Sequence, residues 1–351
     1  MSDFRKKNHY VSKSYLKAWS NKNKKIFSYR ILVSHEKVPL WNNKSIKNLA
    51  YHKHLYTLIN KEDNSDEIER WMDQEIEAPA QKALKKVRSD ENLKDIDLNN
   101  IIRFMALQDV RTPIRYMEHI KRSQKQMPEV VKKVSKQLNK VLEESNNPED
   151  LPKLEKHSGS NMIPMNVEKE IVKNSDQGYL KTDILFGRSS WLFMIRHLLN
   201  KTYKILKEHN WNIIKAPDEM EWLTSDNPVI KLNYYGKGKY DFKGGWGNEG
   251  TEIIFPLSPN HLLYTQIGKE TYSNQISLQL AHKIQRFIAE NAHRFIFSAD
   301  PIDDIEKIRP RIVDSDAFKK EKKAWENWHD NQKKAKLDMI MNPKNNFFRE
   351  E

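Results

Sequence analysis

Asp226 stands in the stretch Thr224-Ser225-Asp226-Asn227-Pro228, between the apolar pairs Trp222-Leu223 and Val229-Ile230. A carboxylate at a strand end beside a cleft can exchange a proton or hold a metal ion. The same residues also suit a plain turn, because Asp and Ser bond their own backbone and Pro228 drives Asn227 extended. His9, in NHYVSKSYL, is the second candidate. An imidazole titrates near neutrality and works as acid or base once docked. Tyr10, Val11, Tyr15 and Leu16 would dock it, and the alternative is a hydrogen-bonded packing histidine.

Anion recognition has its own candidates. Arg103, Gln108 and Arg111 share the segment RFMALQDVR, and the two arginines, eight residues apart, fall near one helix face. Guanidinium groups bordering an apolar face suit phosphate or carboxylate, while internal ion pairs with Glu75 or Glu77 are the plainer reading. The loop YYGKGKYDFKGGWGNEG over 234–250 holds six of the ten glycines. Its Lys237, Lys239, Tyr240 and Trp246 are the types that grip single strands, lysines on phosphates and rings on bases. A long hairpin tip explains it as well. Asn227 joins the phosphate-binding candidates through its place beside Asp226.

No metal motif is legible. His52 and His54 in YHKHLY would share a strand face, but no third ligand stands at a recognisable spacing. A divalent metal on Asp226 and distant carboxylates is left open as a cofactor. There is no HExxH, Walker A or dinucleotide-binding glycine pattern. With no cysteine, thiolate zinc sites, disulfides and thiol nucleophiles are excluded together.

The elements that must position these residues follow from periodicity. Helical spacing covers Ile68, Trp71, Met72, Ile76, Ala80 and Leu84, with Pro79 bending or restarting the helix. A second helix packs through Ile101, Phe104, Leu107, Val110 and Met117, interrupted at Pro113. KIFSYRILV and KVPLW pair as strands. No Phe, Tyr or Trp occurs between Tyr116 and Tyr179, so 121–175 reads as a lysine-rich helical arm and loop outside the core. A long helix follows through Trp191 to Leu206, then strands WNIIKA, EWLTS, PVIKL, TEIIFPL and HLLYTQI of an antiparallel sheet, a helix, and the strand RFIFSA. Residues 1–120 and 176–317 would form one α+β core. Residues 318–351 would be a charged peripheral helix, or one that contacts a second copy of the chain.

At 351 residues and net charge +13, the chain has core enough to fold and a surface that attracts polyanions. Nucleic acid or a nucleotide is the expected partner. The polar, basic start reads as no secretory signal, and no apolar run approaches the roughly 18 residues that span a bilayer. A cytoplasmic location without membrane association is the expectation.

Several blocks together resemble bacterial proteins grouped as domain of unknown function 4238: NHYVSKSYLKAWS, KNLAYHKHLYT, FMALQDVRTP, WLTSDNPV, IIFPLSP and NAHRFIFS, in that order. Ser12 stands where those proteins commonly carry proline. The resemblance makes His9, Arg111, Asp226, Asn227 and Pro256 recurrent positions. It implies an accessory protein of bacteria and phages, similar to some single-gene anti-phage defence effectors. The functional expectation is an intracellular enzyme hydrolysing phosphodiesters of nucleic acid or nucleotides through a His/Asp/Arg site. The rival is a non-catalytic nucleic-acid-binding or phage-sensing protein.

Overall fold

The first residues fold through aromatic anchors. Strand β1 (Lys7–His9) leads into the one-turn helix α1 (Lys13–Leu16), whose Tyr15 and Leu16 are buried. Short strands follow: β2 (Lys25–Arg30), β3 (Leu32–Val33), β4 (Trp41–Ser45), β5 (Tyr51–Lys53), β6 (Leu58–Ile59) and β7 (Asn64–Ser65). This computed structural model describes residues 4–59, 64–144, 165–171, 178–270 and 274–341.

Helix α2 (Glu67–Met72) runs through a π-helical turn, Asp73–Glu77, into α3 (Ala78–Arg88). Pro79 accounts for the restart: it has no N–H to donate to the preceding turn, and a helix tolerates it only in its first turn. Helix α4 (Asp95–Val110) is buried almost all round over its second half, from Ile101 to Val110. Pro113 likewise opens a new helix, α5 (Pro113–Glu144), so the expected arm grows out of a helix that starts eight residues before 121. From Lys121 to Gln137 its side chains are mostly exposed.

The remainder of the expected arm and loop differs from the sequence reading. Strands β8 (Met165–Ile171) and β9 (Gly178–Ile184) pair antiparallel, Met165 opposite Ile184 and Ile171 opposite Gly178. Their sequences alternate at Met165, Val167 and Ile171 and at Leu180 and Ile184, but Lys169 and Thr182 interrupt the apolar pattern. Residues 145–164 and 172–177 lie outside the described ones.

Helix α6 (Arg188–Asn200) then buries Trp191, Leu192, Ile195 and Leu199, as its periodicity predicts. The strands β10 (Asn212–Lys215), β11 (Thr224–Ser225), β12 (Ile230–Tyr234), β13 (Tyr240–Asp241), β14 (Glu252–Ser258) and β15 (His261–Gln266) follow. Five of them form an antiparallel sheet in the order β10-β15-β14-β12-β13. Helix α7 (Leu278–Asn291) closes one face of it, burying Ala281, Ile284 and Ile288 against Ile230, Leu232 and Ile254.

Strand β16 (Phe295–Ser298) lies outside that sheet and pairs with β2, Phe297 opposite Ser28, in the order β11-β16-β2-β4. This second sheet is therefore woven from both ends of the chain. The short helix α8 (Ile305–Ile308) precedes β17 (Ile312–Val313), which runs parallel to β3. The trailing segment is two helices, α9 (Ser315–Glu326) and α10 (Trp328–Met341), not one. Asp314 caps α9, accepting from the N–H groups of Asp316 and Ala317 at 3.0 and 2.9 Å. These helices are not peripheral: Trp328 is buried and Trp325 packs against the main core. The fold is α+β, and no described helix is long and apolar enough to cross a membrane.

Candidate functional site

Three distant segments meet around the turn at Asp226. The hydroxyl of Tyr15 lies 2.6 Å from Thr224 Oγ1 and donates to the Pro256 carbonyl at 2.8 Å. Trp19 Nε1 donates to the Trp222 carbonyl at 2.7 Å. Asp226 itself, 3 % exposed, accepts from the N–H groups of His293 and Arg294, each at 2.8 Å. Its own N–H goes to the Phe295 carbonyl at 3.0 Å. Asn227 completes the clamp, donating to the Asn291 carbonyl at 3.0 Å, while Asn291 Nδ2 returns a bond to Asn227 O at 2.8 Å. The turn thus fixes the end of α7 and the start of β16.

Asp226 also lines a cleft of about 860 Å³. Its lining includes Tyr10, Arg30, His52 and His54, His293 and Arg294 next to Asp226, and Glu321, Trp325 and His329 of α9 and α10. Lys44 and Lys53 add exposed cations. His52 stacks on Trp325, ring centroids 3.8 Å apart, and on Tyr10 at 5.4 Å. His54 stacks on His329 at 4.1 Å. Arg188 Nη1 donates to the His54 carbonyl at 2.7 Å and approaches His329 Nδ1 at 3.2 Å, which must accept.

Burial sets the titration of these groups. It raises Asp226 to about 6, against the two N–H bonds that favour its anion. It lowers His52 to about 3, helped by the charge of His293, and His293 to about 4, helped by Arg294 and Arg309. The imidazoles are therefore neutral at pH 7 and the carboxylate is mostly ionised. Arg294 is bonded to Glu321 at 2.7 Å. Arg30 lies over the rings of Phe295 and Phe318, at 5.3 and 4.4 Å, and its Nε has no protein partner.

His9 and Arg111 do not line this cleft. His9 is buried beside Tyr51, its Nε2 3.3 Å from the Lys47 carbonyl and therefore protonated, and burial lowers it to about 4. Arg111 is fully buried. It donates to Glu77 at 2.6 Å and to the Tyr10 carbonyl at 3.1 Å, and the Gln108 amide oxygen, turned toward it, accepts at 3.0 Å from Nη2. Ser12 Oγ bonds the other Glu77 oxygen at 2.5 Å. This network fixes the backbone of Tyr10, so Arg111 and Gln108 reach the cleft only through the residue they position. The interior ion pair weighed for Arg111 is the one present.

Arg103 donates to the Glu75 carbonyl at 3.1 Å and lies over Tyr203, away from Asp226's surroundings. Lys237 and Lys239 sit at an exposed hairpin tip, where Lys237 adopts φ +50°. Tyr240 bonds Glu290. Trp246 is buried, its indole N–H 2.8 Å from Asp109. The glycine-rich loop is thus anchored at Trp246 rather than free along its length. Among the described residues, no cluster of three or more His, Asp or Glu is set to hold a metal ion.

The family model described as "Protein of unknown function (DUF4238)" matches residues 7–301. The chain belongs to the DUF4238 family. The match includes Tyr10, Arg30, His52, Asp226, His293 and Arg294, and it stops before α9 and α10, which also line the cleft. Neither the curated proteins nor the solved structures give a match.

Sequence reasoning missed His293, Arg294, Arg30 and Trp325. A signal existed for the first two, since NAHRFIFS is one of the blocks of the resemblance. His52 was weighed only as a metal ligand, not as a ring that stacks.

Proposed function

We propose that the DUF4238 cleft binds a nucleotide or nucleic-acid end and hydrolyses a phosphoester of it. The observation that carries this reading is the grouping of Arg30, with its unbonded Nε, beside neutral His52 and His293 and the rings of Tyr10 and Trp325. An arginine with spare donors suits phosphate, and rings suit a base. Neutral His293 is the general base in this scheme. It takes a proton from water as the water oxygen bonds phosphorus, the ester P–O bond breaks, and the leaving oxygen takes a proton from solvent. Asp226 holds the His293–Arg294 backbone and is a positioning residue.

The test is incubation of purified protein with DNA, RNA and nucleotides, with and without divalent metal. Under this reading His293→Gln lowers turnover about 100-fold or more while binding changes little. The stack of His52 between Tyr10 and Trp325 favours a second reading, a binding protein without turnover. It predicts no product from wild type, retention that falls steeply with salt, and loss of retention in Arg30→Ala. The intracellular anti-phage role goes with either reading. It is tested by plating phages on cells that carry the wild type, His293→Gln or Arg30→Ala.

A further inference from the structure

A second pocket, about 320 Å³, opens between α5, α6 and the root of the glycine-rich loop. Met194, Leu198 and Ile205 give it an apolar, partly exposed wall. The opposite side is charged. Asp109, 2 % exposed, holds Lys231 at 2.8 Å and Arg115 at 2.9 Å, and Trp246 donates to the same carboxylate. Glu118 takes Arg115 at 2.7 Å, while Arg122 is exposed and forms no ion pair among the described residues. The lining therefore carries one positive charge in excess.

His119, 5 % exposed, also lines this pocket. Its Nε2 lies 3.1 Å from Ser190 Oγ, and that hydroxyl gives its only proton to the Gly187 carbonyl at 2.9 Å. With that proton assigned to Gly187, Ser190 accepts from His119, the ring carries its proton on Nε2 and Nδ1 is a bare acceptor. Nδ1 is buried and has no protein partner. A buried acceptor left unmet is costly, and its natural complement is a donor that enters the pocket.

We propose that this pocket binds a small monoanion that has an apolar ring and an N–H or O–H donor. The donor meets His119 Nδ1, the ring lies on Met194, Leu198 and Ile205, and the charge faces Arg122 and the Arg115–Lys231 pair. Burial lowers His119 to about 4, helped by Arg122, which keeps the acceptor free at neutral pH. The site is separate from the cleft and does not rest on its reading.

Three probes dissect it by titration calorimetry on the intact chain. Indoleacetate has ring, donor and charge; naphthaleneacetate lacks the donor; indole lacks the charge. Indoleacetate should bind about 10-fold more tightly than either, the effect of roughly one hydrogen bond or ion contact. Arg122→Gln should weaken both carboxylates and leave indole unchanged. His119→Ala should erase the difference between indoleacetate and naphthaleneacetate, and if that variant does not fold, the wild-type probe series decides alone. Equal affinities for those two acids, or no binding of any probe at millimolar concentration, overturns the proposal and leaves a pocket that holds water only.

Discussion

The cleft at Asp226 and the pocket at Asp109 handle buried charge in opposite ways. Asp109 is met by two cations, Lys231 and Arg115. Their charges outweigh its burial and hold it below the usual carboxylate range. Asp226 has no such ion pair and relies on backbone N–H groups, so burial wins and its affinity for protons rises. The contrast separates a carboxylate that neutralises a core from one that shapes a site. An ion pair fixes charge, whereas N–H bonds fix the path of a backbone.

The largest expected effect breaks the Asp109 side. Asp109→Ala strands Lys231, leaves Arg115 with Glu118 alone and should cost about 3–5 kcal/mol, read by denaturant unfolding. Turnover at the cleft, per folded molecule, should not change. Acid comes next and acts on the cleft. His52 and His293 titrate lower folded than unfolded, so their stability is present above pH 6.5 and is lost as pH falls toward about 3 and 4. Between pH 7 and 5 each should forfeit about 2 kcal/mol, measured as a falling Tm.

Asp226 works the other way. Its raised folded affinity means that stability is greatest at low pH and is lost as pH rises through about 6. Asp226→Asn should cost about 1–3 kcal/mol at pH 5, because one N–H loses its acceptor, and should steepen the acid loss that Asp226 partly offsets. Trp325→Ala removes the ring over His52 and should cost about 1 kcal/mol in stacking. NMR titration should then find His52 moving up toward its ordinary value as water enters. The smallest effect belongs to the hairpin tip: Lys237→Ala and Lys239→Ala should each stay within about 0.5 kcal/mol. If the tip does meet phosphates, each variant should reduce the salt slope of binding by about one.

Much of the fold was legible because burial has a period. The faces of α3, α4 and α6, and the restarts at Pro79 and Pro113, follow from apolar spacing and a missing N–H. Most of the five-stranded sheet was legible from its apolar runs and turn residues. The hairpin at β8 and β9 was not, since Lys169 and Thr182 interrupt its short apolar alternation. Asp226 was legible as a turn residue of unusual company, but His9 and Arg111 could be assigned to a cleft only by supposing where their neighbours go. Arg111 shows why that fails: Glu77, Gln108 and the Tyr10 carbonyl saturate it, and all three come from different elements.

Composition and periodicity alone determined that this chain has a packed α+β core, a cationic surface and no thiol chemistry, because those depend on residue type and local spacing. Tertiary structure decided the rest. It put β16 beside β2, brought His293 and Arg294 onto Asp226, and laid α9 and α10 against His52 and His54. Such pairings depend on contacts between segments up to some 280 residues apart, and no local preference encodes which distant strand or ring fills a given space.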